Sequence, residues 1–310
     1  MTKETRAEGI IVPMVTPFDT DGKVDCDAAK PITKHLISAG CSPFILGTTG
    51  EAASVPVEQR QRFVQTVVEA AEGKQPVFAG IASNCLEEAV QMANTFSTVG
   101  ADFAVAHLPF YYPLKPCQIK AYYRRLADSI DLPLILYNIT ATTHMSIPQE
   151  RVFELSEHPN IAGIKDSQRD LKRQQNIIKF CKKTDGFSHF IGWGAKGAWA
   201  LLAGSEGLVP STANLVPALY RKLYDASKAG KVERANQLQD ETDAISTIYQ
   251  EGRSLGESLA GLKIMMDQLD LCSKKVLPPL TALTAKDEQQ ILQAMQTADV
   301  KGKANLLNQY

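Results

Sequence analysis

Short apolar runs alternate with longer amphipathic stretches along most of the chain. Ile10-Ile11-Val12-Pro13-Met14-Val15 reads as a strand, and Asp25 to Ala39 as a helix closed by Gly40. Pro43 to Leu46 is strand-like, and Pro56 opens a helix to about Ala71, proline being tolerated in a first turn. Strands follow at Pro76–Gly80, Phe103–Ala106 and Leu132–Tyr137. The helices between and after them run from Leu86 to Val99, about Pro116 to Ser129, and Pro148 to Glu157. The run Asn160-Ile161-Ala162-Gly163-Ile164 leads into Lys165, and a helix spans Leu171 to Cys181. Phe190-Ile191-Gly192, a short helix Ala195–Leu202 and Gly207-Leu208-Val209-Pro210 complete the alternation.

Near-continuous apolar strands are buried on both faces, as in a parallel sheet covered by helices. About eight strand–helix units predict a closed (β/α)8 TIM barrel over an open doubly wound sheet. No GxGxxG follows the first strand, which disfavours a dinucleotide-binding half. Beyond Ala213 the strands stop, and Ala218–Ala229, Val232 to Tyr249, Glu257–Leu269 and Asp287–Thr297 read as helices. The predicted organisation is a barrel over residues 1–225 and a C-terminal helical appendage over 226–310, packed on it.

Composition narrows the function classes. The 310 residues are 44% hydrophobic and 22% charged, enough for one large core. Lys+Arg 33 against Asp+Glu 34 leaves a net charge of -1, so no basic field favours nucleic acid. The opening Met1-Thr2-Lys3-Glu4-Thr5-Arg6-Ala7-Glu8 is polar, and no apolar run reaches membrane-span length. The expectation is a cytoplasmic protein with no membrane partner. Its six scattered cysteines then read as reduced thiols, with no CxxC. The five histidines are dispersed, so no metal site is expected.

In such barrels chemistry sits at the C-terminal ends of the strands. After the second strand comes Gly47-Thr48-Thr49-Gly50-Glu51, a tight turn whose hydroxyls and N–H groups could cradle a carboxylate or phosphate, or simply join strand to helix. After the fourth comes the aromatic loop Pro109-Phe110-Tyr111-Tyr112-Pro113, open to packing or subunit contact. The fifth ends on Tyr137-Asn138, and the sixth on Lys165. A strand-end lysine either snorkels to water or, held in low dielectric, becomes a nucleophilic amine. The combination fits Schiff-base chemistry: an amine attacks a ketone, a phenol shuttles protons, and hydroxyls hold an anionic handle.

Gly47-Thr48-Thr49-Gly50-Glu51, Tyr137-Asn138 and Gly163-Ile164-Lys165-Asp166-Ser167, in that order, resemble the dihydrodipicolinate synthase / N-acetylneuraminate lyase family of class I pyruvate-dependent aldolases. The similarity runs from Ile11, with Thr16-Pro17-Phe18, through Asn214 and more weakly beyond. It implies a homotetramer that needs no cofactor beyond the imine on Lys165. It also implies that pyruvate or a 2-oxo acid condenses with Lys165, that Tyr137 is the acid/base, and that Thr48, Thr49 and Gly50 hold the carboxylate. Tyr111 would complete a proton relay with Thr48 across a subunit interface.

The chain departs from both main branches. Thr142 stands where the synthase branch carries an arginine, and Thr140 where the family commonly has proline. Gly194-Ala195 stand where the sialic-acid branch carries an acidic pair. The resemblance therefore implies an aldolase or lyase for a 2-keto-3-deoxy sugar acid or related aldehyde adduct. Trp193, His144 and the threonines, Thr142 among them, are candidates to line the second-substrate pocket, Ser211 to bond a hydroxyl, and Gly192 to contact substrate. Helix–barrel packing is the other reading of Trp193, and an ordinary surface position that of His144. Dihydrodipicolinate synthase or N-acetylneuraminate lyase activity proper, a family dehydratase, and a sugar-acid binding protein on a borrowed barrel are the alternatives.

Overall fold

The computed structural model describes residues 7–304, so the polar opening before Ala7 and the last six residues of the predicted appendage lie outside it. Eight parallel strands close into one barrel in sequence order, β1 (Gly9–Pro13) pairing with both β2 (Cys41–Ile45) and β8 (Gly207–Leu208). Between them lie β3 (Phe78–Gly80), β4 (Phe103–His107), β5 (Leu134–Asn138), β6 (Ile161–Asp166) and β7 (Ser188–Ile191). The predicted (β/α)8 barrel is the observed one, with strand edges displaced by one to a few residues.

The outer helices are α1 (Cys26–Ser38), α2 (Val57–Ala71), α3 (Leu86–Thr98), α4 (Pro116–Asp128), α5 (Thr140–Thr143), α6 (Gln149–Leu155), α7 (Leu171–Cys181), α8 (Gly197–Ala203) and α9 (Pro217–Lys228). The longer ones form because one stripe of their surface is apolar. In α1 the buried residues are Ala29, Ile32, Thr33 and Leu36, the i, i+3, i+4, i+7 pattern of a helix facing a core. Asp25 accepts from the N–H groups of Asp27 and Ala28, and Asp170 from that of Arg173, so two helices start on carboxylate caps. Pro56 and Pro148 stand at the caps of α2 and α6 and set their starts.

Strand alternation divides the core in two. Ile10, Val12, Leu134, Leu136 and Ile164 face the helices, while Ile11, Phe44, Phe78, Phe103, Val105, Ile135, Tyr137 and Phe190 fill the barrel interior. Phe78 stacks on Phe103 at 4.6 Å between centroids and meets Phe190 edge-on, which fills the barrel interior.

After the barrel come α10 (Val232–Gln250), α11 (Leu255–Asp267), α12 (Ala285–Thr297) and α13 (Val300–Ala304). α10 lies across α8 and α9 and supports α11 and α12. The start of α11 falls two residues before the sequence expectation. A capping box explains the shift: Ser254 accepts from the Glu257 N–H while Glu257 accepts from the Ser254 N–H. The stretch Thr140–Thr143 winds into a single helical turn, and the short helix expected from Ala195 opens instead as a 3-10 turn over Gly194–Lys196.

Candidate active site

The parallel register sets four side chains in one row. His107 pairs with Tyr137, Tyr137 with Lys165, and Lys165 with Phe190, across β4 to β7. Residues in register on neighbouring strands share a face, and Tyr137 and Phe190 belong to the interior cluster. The row therefore crosses the interior at the C-terminal end of the barrel.

Lys165 is 5% exposed. Its Nζ lies 3.8 Å from the centroid of the Tyr137 ring and 4.9 Å from that of Phe44. Burial strips hydration from the ammonium and lowers its pKa from 10.5, opposed in part by Tyr137. The phenol of Tyr137 shares a hydrogen bond with the Thr48 hydroxyl at 3.3 Å. Lys165, Tyr137 and Thr48 thus form one contiguous group, drawn from three strand ends.

The Thr48 turn is tightly built. Leu46 and Glu51 bracket it, both non-glycine residues with left-handed φ of 54° and 52°. Such conformations are held only where surroundings over-determine them. The Leu46 carbonyl passes so close to Gly80 that a Cβ there would lie 1.9 Å from its oxygen, so β3 must end on glycine. The Thr16 hydroxyl donates to the Gly50 carbonyl at 2.6 Å. Thr49 beside it is partly exposed.

Behind Lys165 a buried polar network fixes the ends of β5, β6 and β7. Asp166 accepts from Asn138 Nδ2 at 2.9 Å, from the Gln168 N–H at 3.0 Å and from Arg173 Nε at 2.7 Å. Asn138 Oδ1 accepts from the Ile147 N–H at 3.0 Å, which ties the loop after β5 to the same point. Gln174 Nε2 donates to the Gln168 carbonyl, leaving its Oε1 to accept from His189 Nε2 at 2.9 Å. Burial holds His189 neutral, its pKa lowered from 6.5 to about 4. Arg173 Nη2 is buried without a partner, while the bonds centred on Asp166 specify one arrangement of strand ends.

The remaining predicted residues divide. Tyr111 is 73% exposed and meets Tyr112 edge-on at 5.0 Å between centroids, so a single chain leaves it apart from the Thr48–Tyr137 pair. Asn84 Oδ1 accepts from the N–H groups of Phe110 and Tyr111 and holds this loop outward. Thr142 sits half-buried on α5. Gly192 follows β7 where any Cβ would lie 2.1 Å from the Ser167 hydroxyl, so the backbone closes directly on the segment after Lys165. Trp193 is half-buried against the outer hydrophobic core, as the packing reading expects. The Ser211 hydroxyl bonds Tyr249 Oη at 2.8 Å, which Thr212 also meets, tying it to α10. His144 is an exposed cap residue with φ of 55°.

Two residues escaped the sequence reading. His107 closes β4, and the inward period Phe103, Val105 would have reached it had the strand been extended by one residue. Its Nδ1 donates to the Leu108 carbonyl at 2.7 Å, leaving Nε2 as the acceptor. Burial, with Lys165 adding to it, lowers its pKa. Lys263 is the other, a lone cation inside the apolar run Leu262-Lys263-Ile264-Met265-Met266 of α11. Among the described residues no group of three or more His, Cys, Asp or Glu is placed to hold a metal. No helix there is long and apolar enough to cross a membrane.

A closed (β/α)8 barrel with a desolvated amine beside a phenol at its C-terminal rim is equipped for class I aldolase chemistry, in which an amine and a proton shuttle act on a carbonyl. Comparison with known proteins agrees: the model of the "Dihydrodipicolinate synthetase family" matches residues 6–298, and the chain belongs to that family, a group of pyruvate-dependent class I aldolases and lyases. Among curated relatives, a 4-hydroxy-tetrahydrodipicolinate synthase of Geotalea uraniireducens is 32% identical over 295 residues, covering 93% of this chain and 97% of the relative. One of Shewanella piezotolerans is 30% identical over 296 residues, covering 94% and 99%. Among solved structures, dihydrodipicolinate synthase from Bacteroides thetaiotaomicron superposes with a TM-score of 0.89 at 31% identity, covering 94% of this chain and 98% of that one. YagE, a prophage protein of the same family from E. coli K12 solved with pyruvate, gives 0.89 at 25% identity, covering 96% and 100%.

Proposed function

We propose that this protein is a Schiff-base-forming, pyruvate-dependent aldolase or lyase. The observation that carries the reading is the Lys165 amine, buried over the Tyr137 ring with its pKa lowered, next to the Tyr137–Thr48 hydrogen bond.

The neutral amine of Lys165 attacks C2 of pyruvate, and the carbinolamine loses its oxygen as water to give a protonated imine. Tyr137 supplies and recovers the protons, with Thr48 as its relay partner. The Thr48 and Thr49 hydroxyls and the turn's N–H groups hold the carboxylate. The imine nitrogen draws electrons from C3, which releases a proton and becomes an enamine carbon. That carbon adds to an aldehyde, and hydrolysis returns Lys165 and the lengthened 2-oxo acid; the reverse sequence cleaves the same bond. The protonated imine is itself the electron sink, so the reading needs no cofactor or metal. Pyruvate bound in the YagE and Acinetobacter baumannii relatives supports the 2-oxo acid half.

The second partner in this reading is a hydroxylated aldehyde, the product being a 2-keto-3-deoxy sugar acid. The turn after β5 offers Thr140 and Thr142, with Thr143 buried on the Ile139 and Met145 carbonyls, and has no guanidinium at Thr142 to clamp a second carboxylate. Synthesis of 4-hydroxy-tetrahydrodipicolinate is the second reading, favoured by the names of the curated relatives. The exposed Tyr111 ring is supplied to a neighbouring copy in a homotetramer, and cysteines that form no disulfide among the described residues fit work in the reducing cytoplasm.

Borohydride reduction with pyruvate should add one pyruvate-derived mass to the peptide containing Lys165. A peptide of unchanged mass would sink the proposal. Turnover of an aldehyde panel with pyruvate, with products analysed for loss of water, then separates aldolase, synthase and dehydratase.

A further inference from the structure

Glu51 closes the turn that carries Thr48 and Thr49, yet its side chain points away from the barrel mouth into the C-terminal segment. There Glu51 Oε1 lies 2.5 Å from Lys263 Nζ of α11, with both side chains removed from solvent. Glu51 Oε2 accepts from the Leu277 N–H at 3.2 Å. Lys263 Nζ also donates to the Lys275 carbonyl at 2.8 Å and lies 4.0 Å from the Phe18 ring centroid. One carboxylate thus joins the turn after β2 to both α11 and the strand-free segment Lys275–Leu277, across more than 200 residues of sequence.

Such a pair is costly to bury and has many cheaper apolar replacements. Its position gives it a task. Glu51 sits in a left-handed conformation, and its N–H donates to the Thr48 carbonyl at 3.1 Å. Rotation of Glu51 would turn the Thr48 peptide with it, and with that peptide the Thr48 hydroxyl facing Tyr137.

We propose that the Glu51–Lys263 ion pair is a positioning device for substrate-anion recognition: the C-terminal segment grips the Gly47–Glu51 turn and aims its hydroxyls and N–H groups at the substrate carboxylate. This rests on the reading of Thr48 and Thr49 as the carboxylate cradle. The helical segment is then a working part of the site, and its substrate-facing effect is selective for carbonyl compounds that carry a carboxylate.

The test compares borohydride trapping on Lys165 by pyruvate and by acetone, which has the ketone without the carboxylate. The double variant Glu51→Gln/Lys263→Met keeps side-chain volume and removes both charges together, and thermal unfolding checks that it folds. Its preference for pyruvate over acetone should fall by roughly tenfold, the scale expected when binding groups are misaimed by a fraction of an ångström. Acetone trapping should stay near the wild-type rate. An unchanged preference, or an equal loss for both ketones, would overturn the proposal. Where the double variant does not fold, Glu51→Gln alone, which retains an acceptor for the Leu277 N–H, carries the same comparison. Failure of wild-type protein to trap pyruvate would count against the Schiff-base reading instead. In that case pyruvate calorimetry reads the ion pair, a roughly tenfold weaker affinity in the variant supporting the proposal and an equal affinity overturning it.

Discussion

Tyr137 and Lys165 face each other across the β5–β6 register, and the Lys165 amine lies 3.8 Å from the centroid of the Tyr137 ring. The amine lies over the ring and also feels the phenol oxygen, which at the same time bonds Thr48. One tyrosine therefore serves two groups at once, through its face and through its hydroxyl. Separate substitutions can address the two roles.

Tyr137→Phe retains the ring and removes the hydroxyl that serves as proton shuttle in the proposed mechanism. Turnover should fall by about 10²–10⁴-fold, the usual worth of a positioned acid/base, while pyruvate is still trapped on Lys165 by borohydride at a reduced rate. Steady-state kinetics with parallel trapping and mass analysis check this. Wild-type turnover in Tyr137→Phe would remove Tyr137 from the chemistry.

Lys165 has a folded-state pKa below 10.5 because burial penalises its charge. Between the folded and unfolded values the unfolded chain binds more protons, so stability rises with pH through that window. The contribution is complete above 10.5 and is lost as pH falls through the folded pKa. Lys165→Met should accordingly be more stable than wild type near neutral pH, with the advantage shrinking as pH rises toward 10.5. Chemical denaturation at several pH values reads the difference. A difference independent of pH would show that Lys165 titrates as it does in water.

His189 gives an acid-side counterpart. Its pKa falls from 6.5 to about 4 on burial, so folding must keep it neutral. Stability from this residue is full above 6.5 and declines as pH falls toward 4, by about 3 kcal/mol in all. His189→Gln should flatten that part of the stability curve. Unfolding free energies at pH 4 and 7 test it, an unchanged slope being the contrary result.

His107 stands at the end of the row that holds Tyr137 and Lys165, with Nε2 as its unprotonated acceptor. His107→Phe fills the same space without that acceptor. Trapping by pyruvate should persist, while turnover with polyhydroxylated aldehydes should fall by about 5–30-fold, as for one lost hydrogen bond of about 1–2 kcal/mol. Equal turnover across hydroxylated and simple aldehydes, before and after substitution, would assign His107 to packing alone.

The barrel was legible in the sequence because its strands are apolar on both faces and its helices carry a single stripe. Ile10, Val12 and Ile11 announce both layers of the core in three residues. Thr48, Tyr137 and Lys165 were legible because strand ends are where polar residues interrupt apolar runs. Boundaries depended on side-chain caps: Ser254 and Glu257 moved a helix start that apolar periodicity placed at Glu257. Lys263 was hidden for a related reason. A buried lysine is intelligible only with its partner, and Glu51 lies more than 200 residues away. Ser211 shows the opposite limit, since its hydroxyl goes to Tyr249 of a helix that local patterning cannot bring near.

The row His107–Tyr137–Lys165–Phe190 draws one residue from each of four consecutive strands. A slip of one residue on any strand would turn its member outward, because side chains alternate with period two. No fragment containing fewer strands can assemble the row, and an opened cylinder would let water reach the amine and restore its ordinary basicity. On the proposed Schiff-base reading, the reactivity of Lys165 is thus a gauge of ring closure. During refolding, capture of a keto acid by Lys165 should lag the recovery of helical signal and arrive together with the final sealing of the sheet.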